Sequence, residues 1–149
     1  MTSEGERQDF KDSGLGGLGA EQLEWLARDV SGLSSSTPVV VFAHIPLWSL
    51  YPEWGWTTRD GQQALARLAR FGSVTVLNGH IHRVMQKVEG NVTFHTALST
   101  VYPQPAPGTA PGPGLLEVPA EQLRSTLGLR EVIWSGTPGP LVVVDEKLG

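Results

Sequence analysis

The chain contains no cysteine, which removes a disulfide framework, a thiolate zinc site and a thiol nucleophile together. Any metal bound by this sequence must rely on His, Asp, Glu and Asn. Basic charge is scarce as well. Lys and Arg number 11 against 15 Asp and Glu, a formal charge of −4, and no basic cluster marks a surface for nucleic-acid phosphates. Long apolar runs are also missing: the longest, such as Val39-Val40-Val41-Phe42-Ala43, fall far below the ~20 residues of a membrane-spanning helix. The opening residues, Met1-Thr2-Ser3-Glu4-Gly5-Glu6-Arg7, lack the basic start and apolar region of a signal peptide. The chain as written therefore reads as cytoplasmic, with no membrane partner.

What is present suffices for one core. With 149 residues and 40 % hydrophobic content, a single domain or a large part of one is expected. Residues 1–19 form a polar, then Gly-rich segment, and 20–149 carry the periodic patterns. Over Ala20 to Val30, Leu23, Leu26, Ala27 and Val30 recur at helical steps, and Glu24 precedes Arg28 by four positions. Val39 to Ala43 reads as a strand apolar on both faces. A loop, Leu47 to Thr57, follows with Trp48, Tyr51, Trp54 and Trp56. Thr58 is placed to cap a helix running to about Phe71, with Leu65, Leu68 and Ala69 inward and Arg67 and Arg70 outward. Val74 to Asn78 is the next strand.

Strand, helix and strand in this order predict a βαβ unit with parallel strands. His44 and His80, 36 positions apart, would then share the C-terminal edge of the sheet, where open α/β folds collect ligands. Past His82, two extended runs around Glu89-Gly90-Asn91 predict a β-hairpin, with His95 a structural residue in its second strand. Residues 103–114 hold five prolines and three glycines in twelve positions and predict an exposed loop without regular structure. Leu115 to Val118, a short helix near 120–126, and strands at 130–134 and 141–144 complete an α/β architecture.

The chemistry concentrates in Gly79-His80-Ile81-His82. If the backbone stays extended there, His80 and His82 point one way and Ile81 the other. With His44 they give three imidazoles at one edge, a ligand set suited to zinc, iron or manganese. The aromatic residues of the Leu47 to Thr57 loop either stand at the rim, where Trp54 and Trp56, flanking Gly55, could stack on a flat group, or pack the loop onto the body of the domain. Arg59 is a candidate partner for a phosphate.

Ala43-His44-Ile45-Pro46 and Asn78-Gly79-His80-Ile81-His82, at βαβ spacing, together with the helical Leu18 to Leu26 stretch, resemble the last two metal-binding motifs of the calcineurin-like metallophosphoesterase superfamily. The resemblance implies an α+β sandwich and hydrolysis of a phosphomonoester or phosphodiester, using two divalent ions (Mn, Fe or Zn) and a metal-bridging hydroxide nucleophile. It assigns His44 and His80 to one ion and His82 to the other. The family's remaining motifs, Asp-x-His, a Gly-Asp bridging aspartate and Gly-Asn-His with its general-acid histidine, do not occur in this sequence. Three neutral imidazoles cannot balance two close divalent cations. Asp29 and Asp60 fall on expected surface helices, and Asp145 lies near the C-terminus. The sequence thus reads as the C-terminal half of such a domain, holding one ion or none by itself. An N-terminal half or a second chain would complete the sandwich and could carry an export signal. With that half missing, an apolar sheet face is expected to be open. The alternatives are a non-catalytic metal-binding or interaction module derived from the same fold, and a mononuclear hydrolase using the three histidines and an unidentified carboxylate.

Overall fold

The computed structural model describes residues 15–136 and 141–149; Asp9, Asp12 and most of the polar N-terminal segment lie outside them. Helix α1 spans Gly19–Val30 and buries Leu23, Leu26 and Val30. Strand β1 (Val39–Phe42) leads into a single 3₁₀ turn at Pro52–Trp54, then helix α2 (Gly61–Leu68) and strand β2 (Val74–Asn78). Strands β3 (Met85–Glu89) and β4 (Val92–Thr96) form the expected hairpin. Helix α3 (Ala120–Thr126) precedes a second hairpin, β5 (Gly128–Ile133) with β6 (Val142–Lys147).

The first four strands make one mixed sheet in the order β1-β2-β4-β3, and β5 and β6 make a separate antiparallel ribbon. The predicted parallel pairing is present: Val39 to Phe42 register with Val74 to Leu77, and β2 runs parallel to β4 in turn. No helix among the described residues is long and apolar enough to cross a membrane.

The strand period of two divides the sheet into unlike faces. The rows Val39, Val74, Val92 and Val41, Val76, Phe94 pack with Leu23, Leu26, Val30, Ala64, Leu68 and Phe71 into the main core. The opposite rows are Val40, Thr75, Thr93, Val88 and Phe42, Leu77, His95, Gln86. Among the described residues no helix packs on that face, and Phe42 and Val88 are 68 % and 64 % exposed. The apolarity of β1 on both faces therefore does not mean double coverage. The β5–β6 ribbon stands opposite part of this second face and leaves a cavity of about 740 Å³ lined by Val40, Thr75, His95, Trp134 and Val143, among others.

Helix α2 is shorter than the predicted 58–71 because Thr58 is engaged elsewhere. Its N–H donates to Pro46 O at 2.9 Å, and it forms a parallel bridge with Gly16. Ala64, rather than Ala69, completes the buried stripe with Leu68. Gly61 is required because a Cβ there would meet the backbone of Leu47.

Asp60 is not a surface residue. It is buried, and its two carboxylate oxygens accept the N–H groups of Leu18 and Gly19, each at 2.8 Å. It sits at the N-cap position of α2 yet makes no side-chain cap there and closes the start of α1 instead. At the other end, Arg70 donates to Val30 O and, at 2.8 Å, to Leu33 O. Negative charge at the start of α1 and positive charge at its end both oppose the helix dipole.

Candidate functional site

The parallel register of β1 and β2 brings the two histidine-bearing loops together. Gly79 N–H donates to His44 O at 3.1 Å, and the Asn78 side chain, buried at the end of β2, donates from Nδ2 to Ala43 O at 2.6 Å and more weakly to Ile45 O at 3.4 Å. These bonds hold the turn after β1 against the turn after β2. A Cβ on Gly79 would sit 3.2 Å from His44 Nδ1, so glycine lets the imidazole lie close to the backbone. The result is an edge-to-face pair, with the ring centroids of His44 and His80 5.3 Å apart.

His80 and His82 do not follow strand alternation. The chain leaves the extended conformation at Gly79, and both histidines take positive φ, 67° and 52°. Their partners differ accordingly. His80 Nε2 bonds Gly55 O at 3.2 Å, and His82 Nδ1 bonds Tyr102 O at 2.8 Å with its ring edge-on to Tyr102. A carbonyl only accepts, so these contacts assign the proton to Nε2 of His80 and Nδ1 of His82. Each ring keeps its other nitrogen as a lone-pair donor, the arrangement in which a backbone partner orients a metal-ligating imidazole.

Ile81, between them, is fully buried against Trp54 and Trp56. The tryptophans are therefore not an exposed rim. Trp54 is 8 % and Trp56 0 % exposed, their rings meet edge to face at 5.2 Å, and Tyr51 and Trp54 meet the same way. Packing of Ile81 and the 3₁₀ turn consumes the aromatic surface that stacking would need. Arg59 is exposed and its backbone N–H donates to Gly16 O at 2.8 Å; it does not line the cavity beside His44. His95 lies in β4 as expected, buried on the second sheet face.

The sequence analysis missed several contributors. Gln104, between two prolines, is buried. It donates from Nε2 to His80 O at 2.7 Å, while its own carbonyl accepts from Arg83 at 3.2 Å. The loop 103–114 lacks regular structure as expected, but Pro103, Gln104 and Pro105 are inside rather than exposed. Tyr102 and Gln104 carry no periodic signal, and only the fold brings them to the histidines. Arg130, in β5, lies opposite His44 and is paired with Asp145.

Burial and mutual repulsion favour the neutral imidazole at His80 and His44. His80 is pushed down from the usual 6.5 to about 4, first by desolvation and then by His44, with the Gly55 carbonyl pulling the other way. His44 is lowered by burial and by His82. Because the folded-state value lies below the unfolded one, the unfolded chain takes up the proton first. Stability is then complete above about pH 6.5 and falls as the pH drops toward 4. His80 alone is expected to remove roughly 3 kcal/mol over that window. Urea unfolding of the metal-free chain at pH 7 and at pH 4.5 measures it, and equal stabilities would show that His80 is solvated.

Neutral lone pairs are what a metal needs, yet the set is incomplete. Among the described residues no group of three or more His, Asp or Glu side chains is arranged to hold an ion. Among the described residues no carboxylate joins the His44–His80 pair, so these residues alone do not fit a dinuclear centre. Comparison with models of known protein families gives no match, and comparison with curated proteins gives none either.

Proposed function

We propose that this chain supplies one wall of a metal-dependent phosphoester hydrolase centre. In this reading His44 and His80 serve one divalent ion and His82 a neighbouring one. The bridging carboxylate and the general acid come from outside this sequence, from an N-terminal half or a second chain. The observation that carries the proposal is the meeting of His44 and His80, ring to ring at 5.3 Å, at the C-terminal ends of adjacent parallel strands. The open apolar face bearing Phe42 and Val88 supports it further, since a sandwich half would cover such a face. When bound, divalent ions would acidify a coordinated water and neutralise phosphoryl charge. The chain's own part is to hold neutral, oriented imidazoles for them.

A non-catalytic module is the second reading, favoured by the lack of a complete ligand group among the described residues. Metal titration separates the two. The isolated chain is expected to bind at most one equivalent of manganese or zinc, to lose at least about tenfold in affinity in His80→Ala, and to hydrolyse an aryl phosphate ester negligibly. Binding of two equivalents, or turnover abolished by His80→Ala, would refute the half-site. No binding at all would favour the non-catalytic module.

A further inference from the structure

We propose that the cavity between the second sheet face and the β5–β6 ribbon binds an uncharged, flat heteroaromatic ring of the nucleobase type, stacked on Trp134 and read by hydroxyl, amide and imidazole groups of the sheet. The inference is independent of the hydrolase reading, because the cavity lies at the other end of the strands from the histidines. Thr37 and Ser73, which precede β1 and β2, line it, whereas His44 and His80 follow those strands. Val40 on its floor precedes His44 by four positions, a span of up to roughly 13 Å in extended chain.

Strand alternation assembles the two walls. On the sheet side, Thr75 and Thr93 are register partners on β2 and β4, and His95 and Gln86 are register partners on β4 and β3. All four stand on the face away from the main core, and all four line the cavity of about 740 Å³. Neighbouring strands run about 4.8 Å apart, so the backbone sets the spacing of this polar patch. On the ribbon side, Arg130 pairs with Asp145 and Val132 with Val143, and the same period carries Trp134 and Leu141 to that inner face. Trp134, Leu141 and Val143 line the cavity opposite the patch.

The lining decides the class of ligand. None of its described residues is Lys, Arg, Asp or Glu, so nothing there would neutralise a phosphate, a carboxylate or an ammonium group, and burying an unpaired charge costs far more than stacking returns. His95 adds no charge at neutral pH: burial holds its imidazole below the ordinary 6.5, with Arg130 acting the same way and Asp145 opposing. A saccharide presents vicinal hydroxyl pairs, which carboxylate oxygens accept together, and no carboxylate lines the cavity.

A heteroaromatic ring needs single donors and acceptors along its edge and a flat apolar surface against its face. Each threonine hydroxyl donates or accepts, the Gln86 amide does both, and neutral imidazole has one nitrogen of each kind. Trp134 is 69 % exposed, which leaves indole surface free for stacking at the mouth. The volume falls within the range of about 300–1,000 Å³ common for small-molecule sites. Solvent satisfies the same polar groups, so their part is selectivity, and stacking on the indole supplies the affinity.

The full chain, isotopically labelled, is titrated at pH 7 with adenosine and, separately, with methyl glucoside and benzoate. The Trp134 indole N–H, the His95 ring and the Thr75 and Thr93 methyl resonances are followed. Adenosine is expected to shift all of them and to bind at least about tenfold more tightly than either other probe. Trp134→Ala, at an exposed position that leaves the core intact, is expected to weaken adenosine at least about fivefold. Thr93→Val keeps the side-chain shape, removes only the hydroxyl, and is expected to weaken it about two- to tenfold. No adenosine shift at these residues at millimolar concentration, glucoside or benzoate bound as tightly, or unchanged affinity in Trp134→Ala would overturn the site. The metal titration reads His44 and His80 at the opposite strand ends, so either experiment can fail without the other.

Discussion

Trp56→Ala is expected to lower the unfolding free energy by about 3–5 kcal/mol, the cost of emptying a fully buried aromatic site. Trp56 is completely shielded, stands edge to face with Trp54 and packs with Ile81, the residue between the two histidines. The loss therefore reaches the site. Gly55, immediately before Trp56, supplies the carbonyl that accepts the His80 proton at 3.2 Å, and a collapsed loop would release that ring. Urea unfolding, followed by the tryptophans that remain, gives the magnitude. A loss below about 1 kcal/mol would mean that Trp56 does not anchor the loop and would reopen a rim role for it.

Asp60→Ala is expected to cost about 2–4 kcal/mol. The substitution removes both acceptors from the Leu18 and Gly19 N–H groups, and Leu18 is buried, so its donor finds no water in exchange. Asp60→Asn, which keeps one acceptor of similar shape, is expected to lose about half as much. Denaturant unfolding of the two variants side by side measures the difference. Equal, small losses would show that α1 is closed by other groups.

The parts of the fold that sequence could predict are those written in side-chain periodicity. Leu23, Leu26 and Val30 identify α1, the β-branched runs identify β1 and β2, and Glu89-Gly90-Asn91 identifies the hairpin turn, because in each case neighbouring residues carry the pattern. The meeting of His44 and His80 was legible by the same route, since the βαβ order dictates which strand ends are neighbours. What was not legible depends on partners remote in sequence. Asp60 looks like an exposed residue of a surface helix, with Thr58 as its cap, yet it is buried and serves α1, 41 and 42 positions earlier. Trp54 and Trp56 sit in a turn-rich stretch whose pattern does not decide between rim and core, and only the inward turn of Ile81 provides them with a core. Arg130 and Gln104 reach the histidines through the ribbon and the proline-rich loop, whose paths no local pattern encodes.

The positive φ angles at His80 and His82 carry an energetic consequence. A turn of that shape is most cheaply made with glycine or asparagine, and holding a larger side chain there costs on the order of 1 kcal/mol at each position. Selection for thermal robustness alone would favour glycine at both. Imidazoles stand at two such positions, each oriented by a separate backbone carbonyl, so the rings are held in place at a cost to the backbone. Glycine at either position would relax the backbone and remove the donor atom, so improvement in one property is bound to loss of the other.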